Sequence, residues 1–449
     1  MNWQNEVNKQ MKGWEFCQGE YNPCLYVHKK LSLKTMVHGD DFVTVGLKED
    51  VDKFNMLLKG RFEVKEKMIG DGEGMVREER ILNRVVRITE GGWELEADQR
   101  HGEMVIDELG LQEAKGVCTP GEHEKEHEKE ANQELLDPYK STRFRRLSAR
   151  LNYLAQDRPD IMFSVKDLCR QMANPSVGGW KKLKRVARYL ISVPRLIMMY
   201  EWQGQEELEE VVTYSDADWA GCKETGKSTS GGAVTIGGHF LKGWARTQSN
   251  VTLSSAESEL VALCKASAET IGIVAMMRDF GVLGYGTVYA DSSAALAITA
   301  RKGCGKLRHI QVGLLWIQEK ETSGELVYKK VLGTKNPADM MTKNVNQESM
   351  KVYTDKLNLK FESGRAVVGL RVQSGNEDSN SGKVAKLSTS SSRLSYGRVR
   401  VQRERSNGVS AVAARRSVNL HSLGTRSVAF CAKNNKQLLF VLQSRNSKK

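Results

Sequence analysis

The spacing of apolar positions changes several times along the chain. From Trp3 to Phe16 it is helical (Val7, Met11, Trp14), and Asn22-Pro23 ends the pattern. Residues 24–27 and 34–38 read as strands. The second runs through Gly39-Asp40-Asp41 into the apolar run 42–45, which predicts a hairpin with an acidic tip. Residues 51–58 are helical and 62–64 begin a strand, while the glycine- and charge-rich stretch 67–80 predicts a loop. Residues 81–88 and 93–95 predict a hairpin about Gly91-Gly92, and 104–109 a short helix closed by Gly110. The stretch 139–172 is helical with an interruption at Arg158-Pro159. The next helix, 180–190, puts Leu183, Val186, Ala187 and Leu190 on one face, and carries Lys181, Lys182, Lys184, Arg185 and Arg188 besides.

From 211 to 343 the pattern alternates: a strand ending at Asp216, strands flanking Gly237-Gly238, a helix over 256–281, a strand over 287–290, helices over 292–301 and 309–322, a strand over 326–331 and a helix from Ala338. A further helix over 347–357 closes the segment. Strands alternating with helices predict one α/β domain built on a mixed sheet. Beyond Arg365 the chain is rich in Ser, Asn, Arg and Lys, and no period persists, which predicts a disordered basic tail with apolar islands at 411–414 and 438–442. The expected organisation is therefore an N-terminal segment (1–120), a charged linker (121–138), a helical connection (139–205), the α/β domain (206–360) and the tail (361–449).

The length of 449 residues agrees with two or three domains, and a hydrophobic fraction of 40% suffices for ordinary cores. A formal net charge of +13 favours a polyanionic partner such as nucleic acid, and the tail contributes to it. The eight cysteines show no Cys-x-x-Cys spacing, so neither a zinc module nor a disulfide framework is expected, and reduced thiols suit the cytoplasm or nucleus. The N-terminus lacks the pattern of a secretory leader, and no apolar run approaches the roughly 18 residues of a membrane span. Histidines alternate with acids and lysines in 122–130, a composition that reads as a solvated linker.

Candidate chemistry gathers downstream of Tyr214-Ser-Asp-Ala-Asp-Trp-Ala-Gly221. This strand end delivers Asp216 and Asp218; a helix start carries Glu257 and Glu259, a second strand end Asp291, and another helix start Asp339. Hard cations want several oxygens converging on one point, and four acidic element boundaries in one segment can supply them. Each alone is equally a solvated acid or a helix cap. Asp40-Asp41 has two readings, hairpin turn chemistry or a metal-binding pair. The basic helix is either a solvated face or a contact for a phosphate backbone, and the tail could hold nucleic acid without sequence preference.

Tyr-Ser-Asp216-Ala-Asp-Trp-Ala-Gly with Lys227-Ser-Thr-Ser-Gly-Gly232, Leu253-Ser-Ser-Ala-Glu-Ser-Glu259-Leu and Asn336-Pro-Ala-Asp339-Met-Met-Thr-Lys343 follow one another in an order that resembles the C-terminal part of a copia-type LTR retrotransposon polyprotein, reverse transcriptase followed by ribonuclease H. Arg145 to Leu154, Asp157-Arg-Pro-Asp160-Ile and Lys184-Arg-Val-Ala-Arg-Tyr-Leu190 look like its connecting region. The resemblance runs to Val345 and implies a ribonuclease H-like mixed sheet with flanking helices, preceded by a partial reverse-transcriptase palm. It implies that Asp216, Glu259, Asp291 and Asp339 hold two Mg²⁺ or Mn²⁺ ions, which would activate water and stabilise the leaving 3′ oxygen in hydrolysis of the RNA strand of an RNA–DNA hybrid. Glu259 is preferred to Glu257 because Glu259-Leu-Val-Ala262 fits the family's helical Glu-x-x-Ala pattern. Asp218 is left a supporting role.

Ser228, Thr229 and Ser230 are expected either to serve turn chemistry, the stronger reading, or to touch sugar or phosphate; Lys181, Lys184, Arg185 and Arg188 are further candidate nucleic-acid contacts, and so is His309, which is equally a packed or capping histidine. Where the family commonly has a second histidine, Leu315 stands here. Asp40 and Asp41 match the acidic hairpin of reverse transcriptases. The family's other catalytic aspartate and its fingers belong upstream of that hairpin, so a complete polymerase is not expected. The alternative to a ribonuclease is an inactive nucleic-acid-binding remnant of a transposable element.

Overall fold

A computed structural model describes residues 3–122, 132–204, 206–305, 308–371 and, as backbone, 438–444. Most of the acidic-histidine linker and most of the expected tail lie outside the described residues.

The amphipathic start folds as α1 (Trp3–Gly13), followed by β1 (Cys17–Gln18), β2 (Leu25–His28), β3 (Leu33–His38), β4 (Asp41–Gly46) and α2 (Lys48–Arg61). Their apolar positions meet in a small core of Val7, Met11, Phe16, Tyr26, Leu33, Phe42, Val51, Phe54 and Leu58. The acidic hairpin is present. Gly39 takes a φ of +62° in its turn, where a side chain would be strained, and the Trp3 indole N–H donates to the Gly39 carbonyl at 2.7 Å.

Two expectations fail in this region. The stretch 67–80 is a loop only over 70–77: its first residues end β5 (Val64–Ile69) and its last begin β6 (Glu78–Ile81). Its charges obscure the strand because they pair across it, as Lys67 with Glu79 and Glu78 with Arg87 do. The apolar island at 438–442 is also not free tail. Leu438–Ser444 forms β16 between β4 and β5, antiparallel to both, so two strands that would otherwise present open edges are joined through it.

The second sheet has the order β15-β9-β8-β7-β6. It takes β7 (Arg84–Thr89) and β8 (Gly92–Ala97) from the N-terminal segment, β9 (Arg195–Glu201) from the connection and β15 (Leu359–Glu362) from the end of the expected α/β domain. Three stretches distant in sequence thus share one antiparallel ladder, and the chain expected to begin the tail at 361 is still strand there. Helices α3 (Arg100–Glu108), α4 (Pro138–Leu154), α5 (Met162–Arg170) and α6 (Val177–Ser192) bury Val105, Leu147, Leu151, Val165, Leu183 and Val186 in one large core. Asp157 pairs with Arg84 at 2.7 Å. Arg158, 2% exposed, pairs with Asp160 at 2.6 Å and donates to the Val193 carbonyl, while the Tyr189 hydroxyl donates to the same Asp160 oxygen.

The third sheet carries the acidic motifs. Its order is β12-β11-β10-β13-β14, made of β10 (Glu210–Asp218), β11 (Thr229–Ile236), β12 (His239–Thr247), β13 (Tyr285–Ala290) and β14 (Leu326–Lys330). The first three are antiparallel, and β13 and β14 run parallel to β10, so the sheet is mixed as expected. The 25-residue α7 (Ser255–Asp279) packs on it through Leu260, Leu263, Ala266 and Ile273, and the Thr213 and Thr270 hydroxyls hydrogen-bond at 2.7 Å across that contact. By length and composition α7 would suffice for a membrane span, but 67% of its most apolar window is buried within the protein. After α8 (Ser293–Thr299) and α9 (Trp316–Thr322), the expected helix from Ala338 is a shorter 3₁₀ turn, Pro337–Met341, and α10 (Gln347–Lys356) follows it.

Candidate metal centre

Strand geometry brings the first two acids together. Parallel pairing of β10 with β13 sets Ser215 opposite Ala290, so Asp216 and Asp291 leave adjacent strands at the same end of the sheet. Helix α7 begins above them. Its N-cap is Ser254, whose hydroxyl accepts from the Glu257 N–H at 3.2 Å, while a Glu257 oxygen accepts from the Leu253 N–H at 2.7 Å. Glu257 is thus used in capping, and its carboxylate also lies 3.3 Å from the His309 ring. Glu259, half a turn further, meets the strand ends. Asp216, Glu259 and Asp291 each offer an oxygen within 4.8 Å of the others.

Asp339 arrives on the 3₁₀ turn. Asn336 anchors that turn by donating to the Ser215 carbonyl at 2.9 Å and accepting from the Ala338 N–H. Glycine lets it approach: a Cβ on Gly231 would lie 2.6 Å from the Thr342 methyl and 3.0 Å from the Met341 Cβ. The Thr342 hydroxyl then donates to Asp216, and the Tyr353 hydroxyl donates to Asp339 Oδ2 at 3.1 Å. Lys343 Nζ lies 3.0 Å from the same oxygen. Asp339 stands beside the trio rather than within its 4.8 Å circle. No local signal in the sequence marks Thr342, Lys343 or Tyr353 as a site residue, although Thr342-Lys343 ends the motif that begins at Asn336.

Crowding of acids shows in their titration. Burial, reinforced by Asp216 and Asp291, pushes the Glu259 carboxyl up to about 9. Burial and Asp216 push Asp339 up to about 7, against the pull of Lys343. Asp291 and Asp218 are raised for the same two reasons. Glu259 is 8% exposed and its Oε2 has no hydrogen-bond partner; Asp339 is 7% exposed and its Oδ1 has none. Buried carboxylate oxygens left unpaired beside like charges are unfavourable unless a cation meets them, so the donor set fits a hard divalent ion.

Asp218 lies against Gly221, where a Cβ would come 1.8 Å from its Oδ2, and it is outside the trio. Ser228, Thr229 and Ser230 are 5% exposed or less. Ser228 bonds the Ala220 N–H and the Thr252 hydroxyl, Thr229 accepts from Lys166 at 2.7 Å, and Ser230 accepts from Gln248 at 2.9 Å. This corrects their expected contact with sugar or phosphate: their hydroxyls tie β11 to neighbouring segments. On α6, Lys181 and Lys184 are exposed, but Arg185 holds Thr119 and Glu122, and Arg188 donates to the Lys115 carbonyl at 2.7 Å. Those two arginines fasten the segment 115–122. The His309 side chain is 42% exposed. Asp40 and Asp41 are half-buried at their hairpin, and among the described residues they join no group of three ligand-bearing side chains within 4.8 Å.

No family model matches the chain. It is 30% identical over 247 residues to the retrovirus-related Pol polyprotein from transposon RE2 of Arabidopsis thaliana, a match covering 54% of this chain and 17% of that protein. With the corresponding polyprotein from transposon TNT 1-94 of Nicotiana tabacum it shares 25% identity over 384 residues, 82% of this chain and 27% of the relative. The chain therefore spans about a sixth to a quarter of the length of these relatives. Among solved structures, LC11-RNase H1 in complex with an RNA/DNA hybrid aligns with a TM-score of 0.22 and 18% identity, over 29% of this chain and 93% of that one. At that score the likeness adds nothing to what the strand order already says of the fold.

Proposed function

The chain belongs with the retrovirus-related Pol polyproteins of transposons, matching part of their length, and from that premise we propose that its α/β domain is a copia-type ribonuclease H that hydrolyses the RNA strand of RNA–DNA hybrids with Mg²⁺ or Mn²⁺. The observation that carries this reading is the convergence of Asp216, Glu259 and Asp291 from three elements, with a buried Glu259 oxygen left unpaired. Divalent ions held there would supply an activated water and charge stabilisation at the phosphate.

The protein's own part is orientation. Thr342 fixes the rotamer of Asp216. The Ala217 N–H reaches Glu259. Tyr353 and Lys343 hold one oxygen of Asp339 and leave the other available. His309, partly exposed beside Glu257, and the exposed Lys181 and Lys184 are the side chains that would meet the hybrid in this reading.

The test is cleavage of a labelled RNA–DNA hybrid by the purified chain in Mg²⁺, beside Asp216→Asn and Asp291→Asn. The expected loss is at least about 10²-fold in each variant, the scale of removing a group that stabilises transition-state charge. Cleavage that survives both substitutions would refute the assignment. Hybrid binding without cleavage in the parent chain would favour the inactive remnant.

A further inference from the structure

Lys343 has no role in the reading above beyond holding Asp339, yet its position is unusual. It lies one turn beyond Asp339, its N–H bonds the Asp339 carbonyl, and its ammonium returns to Asp339 Oδ2 at 3.0 Å. Its charge opposes the rise that burial and Asp216 impose on the carboxyls of Asp218, Glu259, Asp291 and Asp339, and only Asp339 also takes its hydrogen bond. The geometry around it is asymmetric. The trio of Asp216, Glu259 and Asp291 closes on a point within 4.8 Å, and Asp339 is left outside, paired with lysine.

A lysine carries one charge on a long, mobile stem, and its side chain here is 46% exposed. It can therefore neutralise an acid without being locked in place, and its half-exposed head has a path to solvent. A divalent ion drawn to Asp339 would be repelled by an ammonium 3.0 Å from one of that residue's oxygens. The ammonium thus partly offsets the mutual repulsion of the acids and opposes the cation that would do so more fully.

We propose that Lys343 is a built-in counterion: it holds the metal-free acidic centre together and competes with divalent cations for Asp339. This rests on the metal-centre reading but adds to it, because it makes metal affinity a property that a residue other than a ligand sets. Removing the charge destabilises the metal-free protein and tightens metal binding, two effects of opposite sign. A lysine that merely positioned Asp339 would weaken both.

The experiment is calorimetric titration of the full chain with Mn²⁺, with thermal melts in the presence of chelator. Lys343→Met is expected to melt lower without metal and to bind Mn²⁺ about tenfold more tightly, an effect consistent with loss of one partly screened charge a few ångströms away. Lys343→Arg, which keeps the charge, should bind as the parent does. If Lys343→Met does not fold, Lys343→Gln carries the same comparison. Mn²⁺ affinity that is unchanged or weaker in the charge-removing variant overturns the proposal. A parent chain that binds no Mn²⁺, or binding that persists in Asp216→Asn, overturns the metal-centre reading itself.

Discussion

At the scale of single residues, Glu259 sets the pH behaviour of the metal-free protein. Its carboxyl titrates near 9 in the folded chain because of burial and the neighbouring Asp216 and Asp291, against about 4.5 when exposed. Between those values the folded state keeps a proton that the unfolded state has released. Stability therefore falls as pH rises from about 4.5 to about 9, and Asp339, raised to about 7, adds to the fall over the lower part of that window. Melting curves in chelator should show the decline. Glu259→Gln, which cannot ionise in either state, should flatten it and gain about 1 to 3 kcal/mol at pH 8, with no gain near pH 4. A melting temperature that instead rises with pH in the parent chain would contradict the burial of this acid. Glu259 is preferred to its neighbour Glu257 in the sequence only through the resemblance of Glu259-Leu-Val-Ala262 to the family's helical pattern; in the fold Glu259 lies with Asp216 and Asp291, and Glu257 caps the helix start. The engagement of Thr342 and Tyr353 was not: Tyr353 reaches Asp339 from a helix whose docking no local pattern specifies.

At the scale of elements, the Gly231-Gly232 pair shows how packing and chemistry share a motif. A Cβ on Gly232 would strike the Trp244 ring at 2.2 Å, and one on Gly231 would push against the turn that carries Asp339. Gly231→Ala is expected to cost about 1 to 3 kcal/mol, the usual range for overpacking, and to lower metal affinity as well, because the strain falls on Thr342 and Met341. Denaturant unfolding and Mn²⁺ titration measure the two effects separately. At the start of α7, Ser254→Ala removes the acceptor for the Glu257 N–H and should cost about 1 kcal/mol in the same unfolding experiment. The run Ser228-Thr229-Ser230, by contrast, admits sugar or phosphate contact or turn chemistry in the sequence, and in the fold it is the buried approach and beginning of β11. Small hydroxyl residues satisfy both environments, so local sequence could not separate them.

At the scale of the molecule, the three sheets are stitched by contacts that join distant parts of the chain. Arg158 is fully enclosed with Asp160 and Tyr189, and removing one member of such a buried pair leaves the other charge without compensation. Arg158→Ala should cost about 3 to 5 kcal/mol and broaden or abolish a cooperative unfolding transition. A different tie joins Asp279, at the end of α7, to the N-terminal segment, where its carboxylate accepts from the N–H groups of Glu20, Tyr21 and Asn22. The strand Leu438–Ser444 is the most distant tie of all. Its deletion should bare the edges of β4 and β5, speed amide exchange across 42–45 and 65–69, and increase aggregation. Unchanged exchange there would mean that those strands do not depend on it.

The sequence by itself determined the class of the fold, the hairpin at Asp40-Asp41, the order of the acidic motifs and the helix that presents Glu259. These follow from hydrophobic period, caps and glycine placement, all of which act over a few residues. Tertiary structure alone decided that Asp216 and Asp291 leave neighbouring parallel strands at one end of a sheet, that Asp339 stands outside the trio with a lysine against it, and that an apolar island from the tail completes the first sheet. Each depends on which edges and faces meet across a hundred residues or more. Local propensity carries no record of such meetings, because it is the burial and pairing of the assembled chain that choose them.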